Sequence, residues 1–107
     1  MDGVGEALPM DFDIAREGDG SAVVTVRGDL DIATTEQLNA AVTPVIADAP
    51  QRLIVDVSAL RFADSSAIAL WVRWAAQVGE LQLRGASPLL ARLISSMGLA
   101  NHLRLTS

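Results

Sequence analysis

The amino-acid sequence predicts an α/β domain: a mostly parallel five-stranded sheet that opens with an antiparallel hairpin and carries its helices on one face, as a βα superhelix. Three observations favour this fold. The chain has 107 residues, of which 50% are hydrophobic and 20% are charged, as expected for one globular domain with one core. Helical and strand patterns alternate after two initial strands. Polar and apolar residues alternate along the strands, so one sheet face should meet solvent.

The first elements form a hairpin. We expect a flexible leader at residues 1–10 and a single domain over 11–107. The β-rich runs Asp11–Arg16 and Ala22–Arg27 are separated by Glu17–Gly20, whose two glycines and aspartate are typical of a turn. The two runs are therefore predicted to pair as antiparallel strands.

The first helix is predicted over Thr34–Ala47, where apolar residues recur at helical spacing. Thr34 and Gln37 fit a capping box at its start. Pro44 has no N–H to bond the carbonyl of Ala40, so we expect it to kink or divide the helix.

Two further helices follow. One is predicted from about Ser66 to Val78 and stops at Gly79, a common helix terminator. The other, Pro88–Met97, has Ser87 as its expected cap and proline in its first turn. The remaining strands are predicted at Leu53–Val57, Leu81–Arg84 and His102–Leu105. Alternation along the strands places a polar set on the solvent side of the sheet: Thr25, Arg27, Gln82, Arg84 and Arg104.

Composition narrows the possible functions. The formal charge is −5, from thirteen acidic residues against eight arginines. The arginines are scattered, which argues against direct binding of nucleic acid or an anionic membrane. The absence of cysteine excludes thiol chemistry and a cysteine zinc site, and the single histidine, His102, excludes a site that needs two imidazoles. The first residues lack the pattern of a targeting signal, and no segment resembles a membrane span, so we expect a cytoplasmic protein.

Two loops at the carboxyl ends of neighbouring strands carry the candidate site. Gly28–Asp31 and Phe62–Ser66 should bring Asp31, Asp64 and two hydroxyls near the start of the second helix. A helix N-terminus stabilises an anion, so Ser65 is a chemically sensible phosphoacceptor. The alternative is that Ser65 or Ser66 only caps the helix.

These loops, together with Leu53–Leu60, resemble the sequence landmarks of the STAS domain. Over about residues 11–105 the chain resembles, more narrowly, the bacterial anti-sigma-factor antagonists. That resemblance implies binding to an anti-sigma factor that is also a serine kinase, which releases the sigma factor. It also implies phosphorylation of Ser65, which ends binding, and a serine phosphatase that resets the protein. Asp31 matches the family's usual acidic position. Ala67 departs from the family's usual glycine, and the chain stops where many relatives have a further helix.

The partner surface has two candidate apolar residues besides Asp29. On a helical wheel of the second helix, Trp71 falls on the core side, whereas Leu70 and Trp74 lie beside the polar stripe. Trp74 is expected either to pack under a neighbouring helix or to form, with Leu70, the partner surface adjoining Ser65.

Other functions are less favoured. A hydrolase triad of Ser65, His102 and Asp31 lacks the Gly-x-Ser-x-Gly elbow, so we expect no enzyme. The carboxylates of Asp29, Asp31 and Asp64 are better explained as loop residues than as metal ligands, and no cofactor is expected. The second function class is a STAS adaptor subunit that is never phosphorylated, such as the cytoplasmic subunit of a lipid-transport ATPase complex.

Overall fold

The computed structural model describes residues 9–106. Residues 1–8 of the expected leader lie outside this range, and Met10 already belongs to the first strand. The elements in chain order are β1 (Met10–Arg16), β2 (Ser21–Leu30), α1 (Thr35–Ala47), β3 (Arg52–Ala63), α2 (Ser65–Ala75), β4 (Leu81–Arg84), α3 (Pro88–Ser96) and β5 (Arg104–Thr106).

The five strands form one sheet in the order β1-β2-β3-β4-β5. The first two strands pair antiparallel, and every later neighbour is parallel. Each pair of parallel neighbours is joined through a helix. The predicted fold class and the order of the elements are confirmed.

One face of the sheet holds the core. Val24 pairs with Val55, which pairs with Leu83, and all three side chains are fully buried. They belong to one apolar cluster with helix residues such as Leu38 and Trp71. The helices therefore pack on this face and remove both surfaces from water.

The opposite face is polar. A row of paired residues crosses all five strands: Asp13, Thr25, Asp56, Arg84 and Thr106. Arg84 Nη1 lies 3.9 Å from Asp56 Oδ2, and Arg27 Nη2 lies 2.7 Å from Asp13 Oδ2. All five residues predicted for the solvent side are at least partly exposed. The one-sided arrangement is confirmed.

Strand β3 runs further than its apolar core predicts. Its last residues pair with the end of β2, where Gly28 aligns with Leu60 and Leu30 with Ala63. Two register shifts interrupt this pairing, so β3 carries additional residues opposite β2. Such bulges bend a strand and re-aim its side chains. They carry β3 to the residue directly before Asp64.

Helix α1 contradicts the predicted capping box and the predicted division at Pro44, whereas a kink at Pro44 stays a prediction. Thr34 is the residue before the helix, but its Oγ1 accepts a hydrogen bond from Asp31 N and donates to Asp29 O, each at 3.0 Å. The loop therefore takes the hydroxyl that a capping box would use. Pro44 does not divide the helix, which runs unbroken from Thr35 to Ala47. Pro44 and Ala40 are both exposed, so water can reach the carbonyl that loses its N–H partner.

The last strand starts later than predicted. The N–H groups of His102 and Leu103 both bond the carbonyl of Leu99 at 2.9 Å, which continues a turn after α3. His102 therefore lies outside β5, which pairs with β4 from Arg104 onward. Helix α2 also ends earlier than expected, at Ala75.

Candidate functional site

The candidate site lies where β2 and β3 end side by side. Asp64 N donates to Leu30 O at 3.3 Å, directly after Leu30 pairs with Ala63. This bond fixes the start of α2 against the loop that follows β2. The two loops predicted to meet are therefore brought together.

Asp64 caps α2. Its Oδ1 accepts hydrogen bonds from Ser66 N at 2.9 Å and from the Ser66 hydroxyl. The bond from the Ser66 side chain lowers the pKa of Asp64 below its ordinary value of 3.8 against the opposing effect of burial, and backbone amides that include Ile32 N lower it further. Asp64 is therefore an anion at neutral pH, and the helix cap is this aspartate and not a serine.

Ser65 is the first residue of α2 and is exposed. Its hydroxyl forms no hydrogen bond with any residue in the range 9–106. The Ser66 hydroxyl, in contrast, is partly buried and bound to Asp64. Of the two serines, Ser65 is the one open to a modifying enzyme, and its phosphorylation stays a prediction.

The first turn of α2 has fewer free backbone N–H groups for an anion than the sequence suggested. The N–H of Ser66 already bonds the Asp64 carboxylate, and the N–H of Ala67 bonds the Asp64 carbonyl at 3.1 Å. A phosphate on Ser65 would therefore lie beside an ionised carboxylate whose own hydrogen bonds occupy part of the helix terminus.

The loop after β2 contributes two more carboxylates. Asp31 Oδ1 accepts a hydrogen bond from Ala33 N at 2.9 Å, and the Thr34 hydroxyl lies 3.3 Å from it. Asp31 thereby holds the turn that leads into α1. Asp29 Oδ1 lies 3.3 Å from Arg61 Nη2, the cation contributed by β3. The site is acidic, with Arg61 at its border.

Leu70 and Trp74 are fully buried, which corrects the expectation that they belong to an exposed partner surface. Helix α1 covers this flank of α2, and Trp74 Nε1 donates to Asn39 Oδ1 at 2.9 Å. Trp71 is buried, as predicted.

The exposed apolar residues near the site are others. Ile32 is 79% exposed in the loop after β2, and Phe62 is 52% exposed near the end of β3. Sequence reasoning missed both because neither follows a helical or strand period; their position directly beside the loop acids is the signal that could have found them.

The remaining candidates do not join this site. His102 lines a cavity with Glu80 at the end of the sheet where β4 and β5 begin, whereas the candidate site lies where β2 and β3 end. Across residues 9–106 no three His, Asp or Glu side chains lie together as a metal-binding cluster would. In the same part of the chain, no helix is long and apolar enough to cross a membrane.

The Asp64 cap predicts a pH dependence. Because folding lowers the pKa of Asp64, the stability it contributes is present above about pH 4 and is lost as pH falls through the folded-state pKa. Asp64→Ala should cost about 1 kcal/mol at neutral pH. Asp64→Asn should flatten the fall in unfolding free energy between about pH 5 and about pH 3, measured by urea denaturation. Ser66→Ala should also flatten this pH dependence, because it removes the main cause of the lowered Asp64 pKa. An equal dependence of unfolding free energy on pH in the wild type, Asp64→Asn and Ser66→Ala would contradict this role of Asp64.

Comparison with known proteins places this chain in a family. A protein-family model described as "Mlab, STAS domain" matches residues 14–106, which is most of the chain. The chain therefore belongs to the STAS-domain family, as the resemblance of its loops implied.

Within that family the chain is similar to anti-sigma factor antagonists. The anti-sigma-F factor antagonist RsfB of Mycobacterium tuberculosis is 31% identical over 91 residues, covering 82% of this chain and 75% of RsfB. The crystal structure of an anti-sigma factor antagonist from Mycobacterium paratuberculosis has a TM-score of 0.81 at 27% identity, over 91% of this chain and 85% of that one. The fold alone is shared with phosphorylated SpoIIAA of Bacillus, with a TM-score of 0.72 at 22% identity over 91% and 92% of the two chains.

Proposed function

We propose that this protein is an anti-sigma factor antagonist: it binds an anti-sigma factor in the cytoplasm and thereby frees a sigma factor for transcription. The observation that carries the proposal is the exposed Ser65 hydroxyl, which lies beside the Asp64 cap and has no hydrogen-bond partner among residues 9–106, in a chain 31% identical to a protein named as such an antagonist. The protein acts by binding and is not itself an enzyme.

Phosphorylation of Ser65 by the anti-sigma factor, acting as a serine kinase, switches binding off. A phosphate adds about 1.5 to 2 negative charges at neutral pH. In the free protein Ser65 is exposed, so water hydrates the phosphate and the fold survives. In a complex the phosphate would be desolvated beside the Asp64 carboxylate, which favours dissociation. A serine phosphatase restores the binding state.

Incubation with the cognate anti-sigma factor and Mg-ATP, followed by mass spectrometry, tests the proposal. We expect one phosphate on Ser65, none on Ser65→Ala, and an unchanged phosphate on Ser66→Ala. Phosphate on Ser66 would move the site. An unmodified protein, with a kinase active on another substrate, would contradict the switch.

The structure also favours a second candidate at one point. The Asp64 carboxylate already occupies the N–H of Ser66 at the start of α2, which leaves less room for an added phosphate. A STAS adaptor subunit that is never phosphorylated would have this arrangement as its permanent state. Stable copurification with membrane-transport ATPase subunits, insensitive to ATP and to Ser65→Asp, would support the adaptor.

A further inference from the structure

A groove lies between the last part of β3 and the start of α3. Strand β4 stops at Arg84, opposite Asp56, whereas β3 continues to Ala63. The chain turns away at Gly85, where the φ of +77° and the approach of Ser58 leave no space for a Cβ atom. The side of β3 beyond Ser58 therefore faces a cavity of about 310 Å³ in place of a neighbouring strand.

The groove is apolar. Its apolar lining includes Val57, Leu60, Phe62, Leu89, Leu90 and Leu93. Three of the five large apolar side chains exposed among residues 9–106 belong to this set, and Leu89 is 74% exposed. Exposed apolar side chains gathered in one concave place are typical of a binding site, since scattered ones are the rule elsewhere on a surface.

One cation borders the groove. Arg61 is the charged residue of its lining, and the Arg61 side chain is 68% exposed. Its contact with Asp29 runs from Nη2 at 3.3 Å, so other N–H groups of the guanidinium remain open to a ligand. The neighbouring hydroxyls of Ser58 and Ser87 are engaged with Asp56 and Leu90 N. Charge complementarity therefore favours an anionic headgroup at Arg61.

We propose that this groove binds a small amphipathic carboxylate, with its acyl chain against the leucines of α3 and its carboxylate on Arg61. The volume lies at the lower end of the range for small-molecule sites, which suits a medium-length chain. The inference goes beyond the proposed function: the groove lining includes neither Ser65 nor Asp64, although it shares Arg61 and Phe62 with the border of the candidate site.

Titration of the intact protein with octanoate, followed by calorimetry and by amide NMR shifts, tests this. We expect saturable binding, with shifts confined to β3 after Val57 and to the start of α3. From butanoate to octanoate the affinity should rise with each methylene by up to about fourfold. Arg61→Gln should weaken octanoate binding about fivefold to tenfold, since a charge-assisted bond is lost at an exposed site. Arg73→Gln, an exposed arginine outside the groove, should leave it unchanged.

A second pair of variants keeps the test specific. Leu89→Asp should abolish binding, whereas Met97→Asp introduces the same charge at an exposed position of α3's end outside the groove and should not. Octanol should bind more weakly than octanoate, and Arg61→Gln should leave its affinity unchanged. Absence of saturable binding, or shifts at the His102 cavity, would overturn the proposal. So would a loss of anti-sigma factor binding in Leu89→Asp without any octanoate binding, which would make the groove a protein contact.

Discussion

Ser65→Asp should weaken binding to the cognate anti-sigma factor by more than a hundredfold, while Ser65→Ala binds like the unmodified protein. The added carboxylate sits beside the ionised Asp64, and a partner packed there must desolvate both charges. A loss of about 3 kcal/mol is enough for a change of this size. Calorimetric titration of both variants measures it.

The control for this prediction is Ser95→Asp. Ser95 is an exposed serine of α3, so this variant has the same net charge as Ser65→Asp but carries it away from the candidate site. It should bind normally. Similar weakening in the two aspartate variants would point to a general effect of net charge and would contradict a local switch at Ser65.

Trp74→Ala and Trp71→Ala should each lower the free energy of unfolding by about 3–5 kcal/mol, because both indoles are fully buried and each truncation leaves a cavity. The free energy of unfolding of a native domain is about 5–15 kcal/mol, so either substitution removes a large part of it. Urea denaturation followed by circular dichroism measures the loss.

Trp74→Phe separates the hydrogen bond from the packing. It keeps most of the ring but removes the donor to Asn39 Oδ1, so we expect a smaller cost of about 1–2 kcal/mol. Arg73→Ala, at an exposed position of α2 between Trp71 and Trp74, should change the free energy of unfolding by less than about 0.5 kcal/mol. A Trp74→Ala protein that is as stable as the wild type but binds its partner weakly would restore the surface role and contradict its burial.

Much of the fold could be predicted because the relevant signal is local. Alternation in Leu81–Arg84 is enough to place Gln82 and Arg84 on the solvent face, and pairing across the strands then aligns the rest of the polar row. The extension of β3 to Ala63 could not be predicted in this way. The register shifts break the period of two, and the pairing depends on β2, a partner distant in sequence.

The candidate site divides along the same line. Ser65, Asp64 and Asp31 follow from their positions at strand ends, which a sequence shows. The burial of Trp74 depends on α1 covering one flank of α2 and on Asn39 accepting its N–H, and a helical wheel includes no neighbouring helix. Thr34 failed as a capping box because its Oγ1 instead accepts a hydrogen bond from the loop N–H of Asp31 and donates to the carbonyl of Asp29, two contacts from outside the helix.

The antiparallel start of the sheet has a practical consequence for anyone who labels this protein. Pro9 O accepts a hydrogen bond from Asp29 N at 2.6 Å, and Thr106 O accepts one from Gly85 N at 3.0 Å. Both ends of the described chain therefore lie where the parallel strands end, on the side of the domain that carries Ser65. A label attached at position 9 or 106 would lie on the same side of the domain as the candidate interface. The turn at Glu17–Gly20 lies at the other end of the strands, and no atom of residues 9–106 outside the turn comes within 4 Å of a Cβ added at Gly18. Because the sequence contains no cysteine, Gly18→Cys would give one labelling site, and a label there would not obstruct binding at the candidate interface.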